Sequence, residues 1–491
     1  MNYNVDPSGQ VLNNAMQTPS QLTVMTELAG KIMTNANLNT SAKVILNEVT
    51  GANRSALNGH IEVAGAKADV ILANPYGITC SGCGFINTDR ATLTTGTPKF
   101  SADGNITGFN IIQGNISIAG NGLNANSAGL LRLLSRNLSI DGQVNAQQLE
   151  AVTGANAYDY TTGKASAIAG TGAAAQYAID STLLGGLYAN RISLISTEQG
   201  VGVRMAGDAA ASAADFTLSA AGDIQLNNKI NAKQTINIQN ASSQQQKLNI
   251  QGGLTANNIS IGAANTQKLN VDVAGGTLYA GSALDIQSQA FNANNAKIQA
   301  KDTLKVNANS DIALQNTVLD AADLQVKSNA FTAQDSQLKS AQNITIQTAQ
   351  DLKLKNTDAE VQNNVVLSSA SGNMELAGGK LKAGNALNLK ANHLALSAQT
   401  SAANTNIQAQ QFTLDENGLI VSLNNTALNA SNADVWGQMY SSAANFNIGG
   451  TLNSANKTLV SVLNLNTVNA KDLNLKGLWE AGNLTLTAVY S

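Results

Sequence analysis

Charge and aromatic rings are both scarce in this chain. Of its 491 residues, 12% are Asp, Glu, Lys or Arg and 4% are Phe, Trp or Tyr, whereas charged residues run near 25% in ordinary globular proteins. The few charges are spread evenly, which argues against the clustered carboxylates or basic residues of a polysaccharide lyase or hydrolase. A net charge of -3 gives no electrostatic case for nucleic acid or an anionic membrane as partner. Histidine occurs only at His60 and His393, and cysteine only at Cys80 and Cys83. A zinc site on the two cysteines would need two further ligands. No stretch approaches the roughly 18 apolar residues that span a membrane. The opening MNYNVDPSGQ has neither the basic nor the apolar region of a signal peptide. No glycine-rich phosphate loop precedes a helix pattern. The expectation is a chain without catalytic residues, metal or cofactor.

What the chain has instead is a repeat. Apolar pairs spaced i, i+2 recur at Leu284/Ile286, Leu304/Val306, Leu324/Val326 and Ile344/Ile346, each 20 residues after the last. A second series, Ile298, Val318 and Leu338, keeps the same step, and Phe291 and Phe331 stand 40 apart. The i, i+2 spacing puts both side chains on one face of a strand. A fixed period of this size marks a solenoid, in which one rung cannot bury its apolar face alone but a stack can. The abundant Asn, Gln, Ala, Ser, Thr and Gly suit tight corners and side-chain ladders. The expected fold is all-β: a right-handed parallel β-helix of three short strands and about 20 residues per coil. Its chemistry lies in a long surface, so binding is expected before catalysis.

The pattern changes along the chain. Residues 1 to 95 are irregular and hold Pro7, Pro19 and Pro75, and Pro98 follows at once. From 100 to 210, strands such as Ile116-Ser117-Ile118 alternate with Gly/Asn turns, with a longer polar insertion from Tyr158 to Gly172. Extra-helical strands are expected within the first 210 residues. From 215 the repeat is regular (Ile224/Leu226, Ile236/Ile238, Ile259/Ile261), and after 360 it drifts (Val365/Leu367, Leu387/Leu389), which implies small corner insertions. Gln21 to Met33 and Ala128 to Leu134 suit a short helix or a strand or loop equally well. His60 is expected on a surface turn, and Asp223, Asp311 and Asp351 at corners. Tyr158, Asp159 and Tyr160 are expected in an exposed loop or, on a second reading, an aromatic glycan-binding patch.

One stretch is distinctive: Val70-Ile71-Leu72-Ala73-Asn74-Pro75-Tyr76-Gly77-Ile78-Thr79-Cys80-Ser81-Gly82-Cys83-Gly84-Phe85-Ile86-Asn87. Asn-Pro-x-Gly is strong turn chemistry, because Pro fixes φ, Gly supplies positive φ and Asn bonds the local backbone. The stretch resembles the amino-terminal secretion domain of two-partner secretion exoproteins, the filamentous haemagglutinin group. That family's Asn-Pro-Asn-Gly-Ile motif matches Asn74, Pro75, Gly77 and Ile78, with Tyr76 departing at the third place. Its Asn-Pro-Asn-Leu motif matches Asn35, Asn37 and Leu38, with Ala36 replacing Pro. Val152-Thr153-Gly154-Ala155-Asn156, Leu184-Gly185-Gly186-Leu187-Tyr188-Ala189 and Thr197-Glu198-Gln199-Gly200-Val201-Gly202-Val203 also look like the family.

The resemblance implies a secretion domain over residues 1–210 and a haemagglutinin-type repeat shaft over 211–491. It implies export through the periplasm to the cell surface or medium. The partner would be an outer-membrane β-barrel transporter with periplasmic recognition (POTRA) domains, with a target-cell receptor as a further partner. The motif residues either only shape turns or also touch the transporter. For Cys80 and Cys83, Gly82 and Gly84 argue against the helix a redox motif needs. Zinc lacks ligands, and a local disulfide fits an exported chain best. Cysteines at this place resemble the haemolysin-like and contact-dependent inhibition members. In the family, the segment like Tyr3 to Asn14 follows several dozen residues, so the resemblance implies amino-terminal truncation; no toxin-like domain or Val-Glu-Asn-Asn junction is seen. A toxin carrier and a surface adhesin both remain open.

Overall fold

The computed structural model describes residues 2–262 and 268–488. Among them there is no α-helix. The chain divides into two units, Met1–Leu269 and Asn270–Ser491, and each is a parallel β-solenoid with three columns of strands. In the first unit one column runs through His60–Gly65, Cys83–Ile86 and Leu123–Ala125. A second runs through Ala68–Ala73, Thr88–Thr94, Leu130–Ser135, Gln148–Thr153 and Arg191–Ser196. The third runs through Ile78–Cys80, Asn115–Ile118 and Asn137–Ile140.

The second unit shows why the sequence repeats. Leu284 lies in register with Leu304, Leu304 with Leu324, and Leu324 with Ile344. Ile286, Val306, Val326 and Ile346 form the neighbouring row. All eight are buried, while the residues between them face outward, giving the alternating burial of Thr303–Ala308. The rows continue through Val365/Leu367 and Leu387/Leu389 at steps of 21 and 22 residues. Phe291 and Phe331 stand 40 apart because Ile312 occupies the coil between them.

The series Ile298, Val318, Leu338 is corrected by the structure. Ile298 pairs with Leu319, and Leu319 with Leu338; Val318 points outward and is only half-buried. A one-residue slip exchanges the two faces of a strand, and the slip arises at the corner between Ala308 and Ile312, because Ser288 pairs with Ala308 at a step of 20 and Phe291 with Ile312 at a step of 21. Asn295, Asn316, Asp335 and Asn356 all have left-handed φ, at 51, 47, 51 and 48°. They follow one another at steps of 21, 19 and 21 residues. Asn and Asp tolerate this conformation better than other side chains because they can bond locally. The next residue turns inward: Thr317 Oγ1 donates to the carbonyls of Ala293 (3.1 Å) and Gln315 (2.9 Å), and Thr357 Oγ1 to those of Ala333 and Lys355, both at 3.0 Å. These bonds satisfy buried backbone carbonyls at the bend.

Two stretches compatible with helix are strands. Thr23–Thr26 and Gly30–Met33 form an antiparallel hairpin, turned at Gly30 with φ 64°. Glu62, buried beneath it, accepts from the N–H groups of Glu27 (2.7 Å) and Leu28 (2.8 Å). Leu130–Ser135 is a strand whose leucines are apolar on both faces because both faces are covered. His60 opens a strand instead of occupying a turn.

Candidate functional site

Two insertions from the second column of the first unit meet outside it. Thr97–Phe100, Ile106–Ile111, Asn156–Asp159 and Ala165–Ala167 make a four-stranded antiparallel flap. Its underside places Phe109, Ile111 and Tyr158 on Ile71, Leu134 and Val152 of the solenoid. Tyr158 is therefore 2% exposed, and neither an exposed loop nor an aromatic glycan patch describes it. Its hydroxyl donates to Glu150 Oε1 at 2.7 Å. Burial, followed by the Glu150 carboxylate, pushes that hydroxyl far above the usual tyrosine range. Glu150 is in turn paired with Arg132 at 3.0 Å.

The same arrangement recurs one residue pair along. Tyr160 donates to Asp69 Oδ2 at 3.2 Å, and Asp69 pairs with Arg90 at 2.5 Å. The guanidiniums of Arg90 and Arg132 lie 5.3 and 5.7 Å from the centroid of the Tyr160 ring, within cation–π range. At the base of the flap, Arg136 donates to Glu198 through Nη2 (2.8 Å) and Nε (3.1 Å). Arg136 Nη1 also donates to the carbonyl of Thr171 at 2.5 Å. Glu198 Oε2 further accepts from Ala155 N–H at 3.0 Å. Gly154 makes this approach possible: with φ 84°, any Cβ there would lie 2.6 Å from the Glu198 nitrogen.

The sequence motifs sit at turns. Asn74 is wholly buried. Its Nδ2 donates to the Asn53 carbonyl and to Ser55 Oγ, both at 3.0 Å, and its Oδ1 accepts from Tyr76 N–H, also at 3.0 Å. Gly77 N–H closes the turn on the Asn74 carbonyl at 3.0 Å, and Ile78 begins the next strand, fully buried. Pro75 is half-buried and Tyr76 is exposed. Asn35 makes the same turn: its Oδ1 accepts from Asn37 N–H at 3.0 Å and its carbonyl from Leu38 N–H at 3.3 Å. Asn35 N–H and Nδ2 reach the carbonyls of Ala15 and Asn13. Asn37 is exposed and Leu38 half-buried. Cys80 and Cys83 are joined by a disulfide across the corner Ser81-Gly82, with Cα atoms 5.4 Å apart and both residues buried.

The corner carboxylates reach neighbouring coils: Asp223 accepts from Lys247 N–H (2.9 Å), Asp311 from Asn329 Nδ2 (3.1 Å) and Asp351 from Asn373 N–H (3.0 Å). Among the described residues, no three His, Cys, Asp or Glu are grouped to hold a metal.

This geometry of saturated asparagine turns, a corner disulfide and a tethered flap coincides with a family match. The model of the TPS secretion domain family covers residues 1–226. Over that span the chain is similar to the TPS secretion domain family. The chain is 41% identical over 313 residues to a protein of Yersinia mollaretii named tRNA nuclease CdiA, covering 63% of this chain and 10% of that protein. It is 47% identical over 230 residues to a 16S rRNA endonuclease CdiA of Enterobacter cloacae, covering 46% of this chain and 7% of that protein. The chain thus spans a tenth or less of the length of these relatives. A crystal structure of a filamentous hemagglutinin secretion domain aligns with 55% of this chain and 87% of its own, at 32% identity and TM-score 0.46.

Within residues 1–226, the sequence motifs located both asparagine turns and the segment carrying Glu198. They did not locate its charged partner Arg136, nor Arg132, the partner of Glu150. Arg132 and Arg136 stand in the run Leu130-Leu131-Arg132-Leu133-Leu134-Ser135-Arg136, and arginines in an otherwise apolar strand were the available signal that both faces are covered and the charges paired.

Proposed function

We propose that this chain belongs to a secreted or surface-bound exoprotein of the contact-dependent inhibition type. Its secretion domain, ending near residues 210–226, would be recognised by an outer-membrane β-barrel transporter through that transporter's POTRA domains. The following repeats to residue 491 would serve as shaft. The observation that carries this reading is the family match over residues 1–226, supported by 47% identity to a CdiA protein across 230 residues. The chain's own role is non-enzymatic: it presents export signals and a long surface, and the nuclease names of the relatives describe those proteins.

The asparagine turns have a defined part in this proposal. Asn74 is wholly buried and so out of a partner's reach, with its side chain engaged by Asn53, Ser55 and Tyr76. It acts by holding the turn that displays Tyr76, which is 47% exposed. Copurification of the chain with the periplasmic domains of its transporter tests the reading. Retention that weakens in both Asn74→Ala and Tyr76→Ala, but not in Asn307→Ala, is the expected result. Absence of any retention by the unaltered chain would overturn it.

A further inference from the structure

The flap has three polar tethers, and they differ in when the chain supplies them. The Tyr160 hydroxyl meets Asp69, already paired with Arg90. The Tyr158 hydroxyl meets Glu150, already paired with Arg132. All four of these solenoid residues precede Tyr158 in the sequence. The third tether does not follow that order. Arg136, Gly154 and Thr197 occupy the same corner in three successive coils, linked by Gly154 N–H to the Arg136 carbonyl (2.9 Å) and Thr197 N–H to the Thr153 carbonyl (3.0 Å). Glu198, the partner of Arg136, therefore arrives two coils later, 62 residues along the chain.

We infer that the Arg136–Glu198 pair is a latch that closes the flap last, once the coil carrying Glu198 has stacked. Arg136 is 5% exposed, and loop residues Thr171 and Gly172 are drawn over it by its Nη1 and Nη2. Covering a guanidinium that has no carboxylate is strongly unfavourable. Without Glu198 the loop has two carbonyls to offer that charge and no anion. Ala155 N–H would also lose its acceptor at the point where the chain leaves the solenoid for the flap. A solenoid grows by adding each coil to its neighbour, so a chain delivered amino terminus first holds the underside of its flap unlatched until the corner Thr197-Glu198 is laid down. Gly154 is the enabling position, because no other residue leaves room for the Glu198 backbone. The charge balance of the latch is local: one guanidinium, one carboxylate.

Hydrogen exchange on the full chain tests this. In Glu198→Gln, which keeps the size of the side chain and removes its charge, the amides of Ala155, Ile168 and Thr171 should exchange about tenfold faster or more. The amides of Ile192 and Val203, bonded within the solenoid to Asp215 and Asp223, should change little. Unchanged protection at Ala155, Ile168 and Thr171 would overturn the latch. Should the variant fail to fold, pulse-labelled refolding of the unaltered chain decides the matter. The three flap-base amides should become protected with or after Val203, and protection about tenfold sooner would overturn the order of closure.

Discussion

Leu324 lies in register between Leu304 and Ile344 with none of its surface exposed. Leu324→Asp places an unpaired carboxylate between two rungs, and a loss of about 4 kcal/mol or more is expected in urea unfolding. At the corners the backbone is the constraint. Asn316→Ala and Asn356→Ala should each cost about 1 kcal/mol through left-handed φ, and Asn316→Gly should cost less, as thermal unfolding can show. Glu198 carries a pH signature. The Arg136 hydrogen bonds, opposed by burial and aided by Ala155 N–H, hold its carboxyl below the usual range. A depressed folded-state value means that its stabilisation is complete above the unfolded value of about 4.3 and is lost as pH falls through the lower, folded one. Exchange at Ala155 should therefore be constant from neutral pH to that point, after correction for intrinsic rates, and rise below it. Leu324 was legible in the sequence because its neighbours repeat at a constant step. Leu319 was not, because the corner between Ala308 and Ile312 holds one residue more than the corner between Ser288 and Phe291.

At the scale of elements, the strand pairs were legible and the flap was only half so. Apolar alternation identifies which residues of Thr303–Ala308 turn inward. It cannot say that Tyr160 will meet Asp69, which lies 91 residues away. The insertion from Tyr158 looked polar, yet Tyr158 is buried and Tyr160 half-buried, and each hydroxyl finds a carboxylate. The flap should accordingly behave as an apolar layer. Phe109→Ala, at a fully buried position, is expected to cost about 3–5 kcal/mol and to raise exchange across Ile106–Ile111 first. The corner disulfide is a smaller contribution. Its cysteines are only three positions apart, so replacing both by Ser should lower stability by about 2 kcal/mol and leave the strand content measured by circular dichroism intact.

For the whole molecule, the proposed role is a presenting surface with an export signal, and it draws on the scarcity of charge, the strand period and the turn motifs. The motif residues Asn35 and Asn74 were legible as turns because Asn-x-x-Leu and Asn-Pro-x-Gly spell local hydrogen bonding. The burial of Asn74 was not legible, since it is sealed by Asn53 and Ser55 from an earlier part of the chain. The central claim is that residues 1–226 act as a secretion domain read by a dedicated transporter, and one measurement tests it most directly. The chain, placed behind a periplasmic export signal, is quantified in the medium and at the surface of cells that carry or lack the partner transporter. Export only with the transporter, and strongly reduced by Asn74→Ala but not by Asn307→Ala, is the predicted result; equal export from both strains would contradict it.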